Sequence, residues 1–188
     1  LLAFLVVAAY VFCSGLNGIG WTNLLQGIMM IVIAWFLGLS ISERLYGGVG
    51  EMFNQVQMTM PEYLTMPGAT GMNWGYFSTA VLVSAFGGAM WPHLFMKFYS
   101  ADSGKTLRKV SVFYPLLVPL LFIGFAGILV FADTPLERSD TVLLRMVMDV
   151  ANFSPWVIGL MLSGALAAAM STGANLAHTA AVVLVRDV

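Results

Sequence analysis

Charge is what this sequence has least of. Of its 188 residues, 8 are Lys or Arg and 9 are Asp or Glu, a charged fraction of 9%, where a soluble globular domain carries about 25%. So few charges cannot cover a water-facing surface, which excludes a soluble globular enzyme. A net charge of −1 leaves no basic field and excludes a nucleic-acid binder. A hydrophobic fraction of 60% excludes a disordered segment. Cysteine is nearly absent: Cys13 stands alone, which rules out a disulfide scaffold and a thiolate metal centre. The start lacks a basic n-region and a small-residue cleavage site, so it does not read as a signal peptide. The chain opens inside one apolar run without an initiator Met and stops just after another. It reads as a stretch of a longer polytopic membrane protein.

What is present agrees. Mean hydropathy is +0.89, and residues 19–41, 73–96, 110–132 and 154–185 each supply the ~20 mostly apolar residues that a transmembrane helix needs. Residues 1–14 look like the tail of a fifth span. None of these segments contains Asp, Glu, Lys or Arg. The expected fold class is all-α integral membrane, with residues 1–188 forming one transmembrane domain in contact with the lipid bilayer and with helices outside the chain. The stretch 97–109 holds Lys97, Lys105, Arg108 and Lys109 against Asp102, whereas 42–72 and 133–152 are acid-rich. The positive-inside rule places 97–109 in the cytoplasm, and alternation then places 42–72 and 133–152 outside. Within those outer connections Val49, Met52, Phe53 and Val56, and again Leu143, Met146, Val147 and Val150, recur at helical spacing, which predicts short packing helices.

The last span carries the most chemistry. On a helix, Gly164, Ala168, Ser171, Thr172, Asn175 and Thr179 fall on one face, opposite Leu162, Leu166, Met170 and Leu184. Two readings of that face stand side by side. Small residues allow close helix packing, with hydroxyls bonded back to their own helix. Alternatively, the Ala168 carbonyl and the Ser171 and Thr172 hydroxyls converge on one cation. Neutral oxygens of this kind suit Na⁺ better than Ca²⁺. In the span at 73–96, Phe86, Gly87 and Gly88 precede Trp91-Pro92-His93. The glycine pair reads equally as a break exposing backbone to a solute or as a tight crossing point. His93 reads as a helix-end residue and Lys97 as a snorkelling interfacial charge. Catalytic triads, phosphate loops and His-x-x-x-His pairs are missing from the sequence, so no enzyme and no organic cofactor is expected.

Three stretches taken together resemble one family. Gly15-Leu16 with Trp21-Thr22-Asn23-Leu24-Leu25-Gln26 resembles the G-G-L … W-T-D-x-x-Q signature of sodium:solute symporters. Pro92-His93 followed by Lys97 resembles their P-H-x-x-x-R stretch. Ala168-Ala169-Met170-Ser171-Thr172 resembles their A-A-x-M-S-T/S core. The resemblance implies a five-plus-five inverted-repeat transporter, multi-pass in a bacterial inner membrane, that moves a small polar solute with Na⁺ as coupling ion. It implies that sodium is held by Ala168, Ser171 and Thr172 together with carbonyls from a helix outside this chain. It also implies a broken helix near Ala85–Ala89, with Phe86, Gly87 and Gly88 along the solute path. Three positions depart from the pattern: Asn23 for Asp, Lys97 for Arg, and Ala174 for an acidic residue. A transporter-like sensory module and a channel are the competing functions.

Overall fold

A computed structural model describes residues 2–68, 72–132 and 139–186 of the chain, and every regular element among them is helical. Asp133, Glu137, Arg138 and Asp187 lie outside the described residues. The helices are α1 (Leu2–Tyr46), α2 (Val49–Thr59), α3 (Trp74–Met90), α4 (Pro92–Tyr99), α5 (Gly104–Phe113), α6 (Pro119–Val130), α7 (Val142–Arg145) and α8 (Pro155–Arg186). Long apolar runs take this form because only a helix pairs all its own backbone groups without water. Local signals set the starts. The Asn73 side-chain oxygen accepts the Tyr76 N–H at 2.8 Å and caps α3. Proline opens α4, α6 and α8, where its missing N–H costs nothing. Leu2–Tyr46, Gly104–Val130 and Pro155–Arg186 are each long and apolar enough to cross a membrane, and α3 with α4 makes a fourth such pass, bent by 64°.

α1 has 45 residues, too many for one straight pass of a hydrocarbon core ~30 Å thick. It is not straight. Gly15 sits at φ 54°, ψ −145°, a conformation that side chains with a Cβ rarely adopt. A Cβ on Gly18 would run into the Ser14 Cβ and come within 3.8 Å of the Tyr10 carbonyl, although residues eight apart on a straight helix are ~12 Å apart along the axis. The chain therefore bends sharply between the two apolar runs at 1–14 and 19–41.

The break expected near Gly87-Gly88 lies elsewhere. α3 runs through both glycines to Met90, and Trp91, at φ −61°, ψ 126°, makes the turn into α4. Glycine weakens a helix but keeps its N–H. Pro92 removes one, its ring collides with the carbonyl four residues back, and it drives the preceding residue into extended backbone. Proline, not glycine, decides where this span breaks.

The described chain divides into two compact units. One comprises Ile33–Val83 and Pro115–Leu160. Its core holds Leu37, Ile41, Met52, Val56, Met146 and Val147, all at 2% exposure or less. Phe53 of α2 packs edge-on against Phe125 at 5.1 Å and Phe122 at 6.2 Å. A Cβ on Gly38 would lie 2.7 Å from the Pro119 carbonyl oxygen, so the backbones of α1 and α6 meet there without a side chain between them. Polar stitches close the unit: Trp35 Nε1 to the Leu116 carbonyl at 3.0 Å, and Tyr46 OH to the Ala126 carbonyl at 3.1 Å. Arg44 donates to the Ala151 carbonyl at 3.2 Å and lies 4.1 Å from the Phe153 ring centre. The predicted short helices are thus packing elements here, and the second of them continues as a π-helix over Met146–Val150.

The other unit comprises Leu1–Val32, Ser84–Tyr114 and Met161–Val188. Its apolar cluster is small: Val7, Ile19 and Ala174 are buried, with Tyr10, Val11 and Met170 packed against them. The predicted polar residues lie in this unit.

Candidate functional site

α8 presents its small and polar residues inward. Gly164, Ala167, Ala174, Asn175 and Thr179 are buried, while Leu162, Leu166 and Leu184 are exposed. The pattern has exceptions: Met161 is buried, Met170, expected on the outward face, packs against Val7, Ile19 and Ala174, and Ser163 is exposed. Ser171 Oγ donates to the Ala168 carbonyl at 2.9 Å. The hydroxyl is thus back-bonded, and the oxygens of Ala168 and Ser171 sit side by side. The bond uses the hydroxyl's hydrogen and leaves its lone pairs free. Thr172 is exposed, at the edge of this face.

Asn175, one turn on, ties the face to α1. Its Nδ2 donates to the Ser171 carbonyl at 2.7 Å, and its Oδ1 accepts from Asn23 Nδ2 in a long hydrogen bond of 3.4 Å. Around Asn23, Trp21 is 75% exposed, and Thr22 Oγ1 bonds back to the Gly18 carbonyl at 2.9 Å and the Ile19 carbonyl at 3.1 Å. Gln26 lies one turn further along α1. Asn23 Oδ1, Gln26 Oε1, Tyr10 OH and His93 Nδ1 are all buried without a hydrogen-bond partner. Leaving such an atom unpaired costs ~1–3 kcal/mol, so these four call for partners beyond the described residues.

α4 adds the third wall. Pro92 fixes its start, the His93 ring packs edge-on against Trp91 at 5.6 Å, and Ser100 Oγ bonds the Lys97 carbonyl at 2.9 Å. His93, Lys97 and Ser100 line a cavity of about 30 Å³ together with Asn175, His178 and Thr179.

The three motif stretches therefore meet at Asn175, which sequence reasoning placed on the polar face without giving it a role. Its spacing of four from Ser171 and of four to Thr179 was the available signal. Phe86, Gly87 and Gly88 are not among the residues brought together. Phe86 is 67% exposed, and a Cβ on either glycine would meet nothing within 4 Å. A close crossing at the glycines has no partner among the described residues.

A sequence model of the sodium:solute symporter family matches residues 1–188. The chain belongs to that family. It is similar to the uncharacterized symporter YhjB of Bacillus subtilis (strain 168), with 34% identity over 186 residues, covering 97% of this chain and 37% of the relative. It is similar to the sodium/proline symporter of Escherichia coli (strain K12), with 28% identity over 178 residues, 87% of this chain and 34% of the relative. It is also similar to a monocarboxylate transport permease protein of Rhizobium johnstonii, with 28% identity over 184 residues, 92% of this chain and 36% of the relative. The chain spans a little over a third of the length of these relatives. No solved structure matches. Membership makes the all-α chain an integral membrane protein. It also sharpens one departure: an Asp at position 23 has no N–H to offer Asn175 Oδ1, and Asn23 has one.

Proposed function

We propose that the protein containing this chain is a secondary active symporter in which Na⁺ drives the uptake of a small polar solute. The ion is held by the Ala168 carbonyl and the Ser171 and Thr172 hydroxyls, completed by ligands outside the chain. Family membership over the whole chain, joined to the adjacent Ala168 and Ser171 oxygens, is the observation that carries this reading. The relatives' names point to solutes with a carboxylate, proline in one and a monocarboxylate in another. Residues 1–14, 19–41, 73–96, 110–132 and 154–185 are the membrane passes in this proposal, with 97–109 cytoplasmic. Phe86, Gly87 and Gly88 then lie along the solute path just before the bend at Trp91.

Ion binding favours the conformation that accepts solute, so sodium and solute each raise the other's affinity. The test is solute uptake by the full-length protein in proteoliposomes under an inward sodium gradient. Ser171→Ala and Thr172→Ala are expected to raise the sodium concentration for half-maximal uptake about tenfold or more, the loss of one ligand to a charged group. Unchanged sodium dependence in both variants means that the hydroxyls only pack and bond back.

A further inference from the structure

The cavity beside Asn175 has a composition that sodium binding leaves unexplained. At about 30 Å³ it exceeds the ~10–15 Å³ that one water requires. It is far below the roughly 300 Å³ at which pockets for organic ligands begin. Its polar walls are His93, Lys97, Ser100, Asn175, His178 and Thr179, with no carboxylate among them. Lys97 has no ion-pair partner among the described residues, where the one ion pair is Arg145–Asp149 of the other unit. Lys97 is exposed at the cavity's rim, and an ammonium there, with no carboxylate in the walls, attracts an anion into the cavity.

The donors are available. Lys97 offers its ammonium and an imidazole offers a ring N–H. The Thr179 hydroxyl can turn inward. The Asn175 amide has a second N–H, the first being given to the Ser171 carbonyl. Ser100 contributes less, since its hydrogen goes to the Lys97 carbonyl. His93 is an independent pointer: the side chain is 9% exposed, its Nδ1 is buried without a partner, and Trp91 holds the ring in place. A cation is repelled by Lys97. A transition metal would need a third ligand, and no group of three or more His, Cys, Asp or Glu is assembled among the described residues. Water also satisfies the hydrogen bonds, and a halide titration separates it from an anion.

We propose that this cavity binds a small monovalent inorganic anion, chloride under cellular conditions, held by Lys97, His93, Thr179 and Asn175. The site lies one to two turns beyond Ser171 on α8 and is separate from the sodium ligands. The inference goes beyond sodium-coupled transport and does not depend on it.

Equilibrium binding tests it without transport. The full-length protein is placed in nanodiscs at constant sodium, and chloride is exchanged for gluconate while thermal unfolding is followed. Chloride is expected to raise the unfolding temperature saturably, with bromide substituting for it. A bromide-soaked crystal is expected to show its anomalous peak between Lys97 and His93. Lys97→Gln is expected to weaken halide affinity about tenfold or more, the loss of one charge-assisted hydrogen bond. Should that variant not fold, the wild-type titration and the bromide peak decide. A wild-type protein with no saturable halide response holds only water in the cavity, which overturns the proposal. So does a folded Lys97→Gln protein that keeps wild-type halide affinity, or a bromide peak elsewhere.

Discussion

The two units spend their buried volume on different things. Among the described residues, the larger side chains that are essentially inaccessible lie mostly in one unit, at Leu37, Ile41, Met52, Val56, Pro119, Met146 and Val147, against Ile19 in the unit that carries the motifs. Among the described residues, the buried polar atoms without partners show the opposite distribution, since Tyr10, Asn23, Gln26 and His93 all lie in the motif-bearing unit. One unit is built by packing: aromatic edges on Phe53, a bare backbone contact at Gly38, and an Arg44 held by both a carbonyl and a ring. The other leaves buried polar atoms without a partner among the described residues. A buried polar atom left unpaired is costly, so these side chains call for partners beyond the described residues, among them the helices outside this chain.

Substitutions can break that contrast or sharpen it. The largest stability loss is expected in the packed unit, where Met52→Ala or Met146→Ala empties a fully enclosed site and costs about 2–5 kcal/mol. Chemical unfolding of the full-length protein in mixed micelles measures it, and sodium affinity per folded molecule should stay at the wild-type value. Gly38→Ala comes next. Its new Cβ would press on the Pro119 carbonyl, and the expected loss is about 1–3 kcal/mol, slightly offset by better helix propensity. A Gly38→Ala protein as stable as wild type would show that α1 and α6 do not touch there.

Smaller effects belong to the polar unit. Asn175→Ala removes the acceptor of Asn23 Nδ2, and leaving that donor unpaired is expected to cost about 1–2 kcal/mol. The telling readout is a weakened sodium response alongside it, since the same amide bonds the Ser171 carbonyl. Gln26→Leu is expected to change stability least. It replaces a buried, unpartnered oxygen with a side chain of similar size, which is close to neutral or stabilising. Transport should nonetheless fall. A Gln26→Leu protein that is clearly destabilised would mean that its oxygen already has a partner, and the contrast between the units would weaken.

Much of this architecture was legible in the residues. The apolar runs become helices because a membrane leaves the backbone no other way to satisfy itself, and the spacing of Val49, Met52, Phe53 and Val56 foreshadows α2 with Met52 and Val56 buried. The small, polar face of α8 was legible from its 3.6-residue period. The position of the bend was not, because Gly87-Gly88 is the more conspicuous weakness and Pro92 the stronger one. The Asn23–Asn175 bond joins residues 152 apart, and an amide advertises no particular partner. The contact of Gly38 with Pro119 was equally silent, since a glycine that admits a neighbouring backbone looks like any other glycine in a membrane helix. Periodicity reports which face is buried; it does not report against what.

The most direct measurement is equilibrium binding of radiosodium to the purified full-length protein, with wild type compared to Ser171→Ala, Thr172→Ala and Met146→Ala. Both hydroxyl variants should bind sodium about tenfold or more weakly while unfolding close to wild type, because one ligand to a charged group is lost and little volume changes. Met146→Ala should unfold more readily yet bind sodium normally. Wild-type sodium affinity in both hydroxyl variants, or an equal loss in all three proteins, would contradict the assignment of ion binding to Ala168, Ser171 and Thr172.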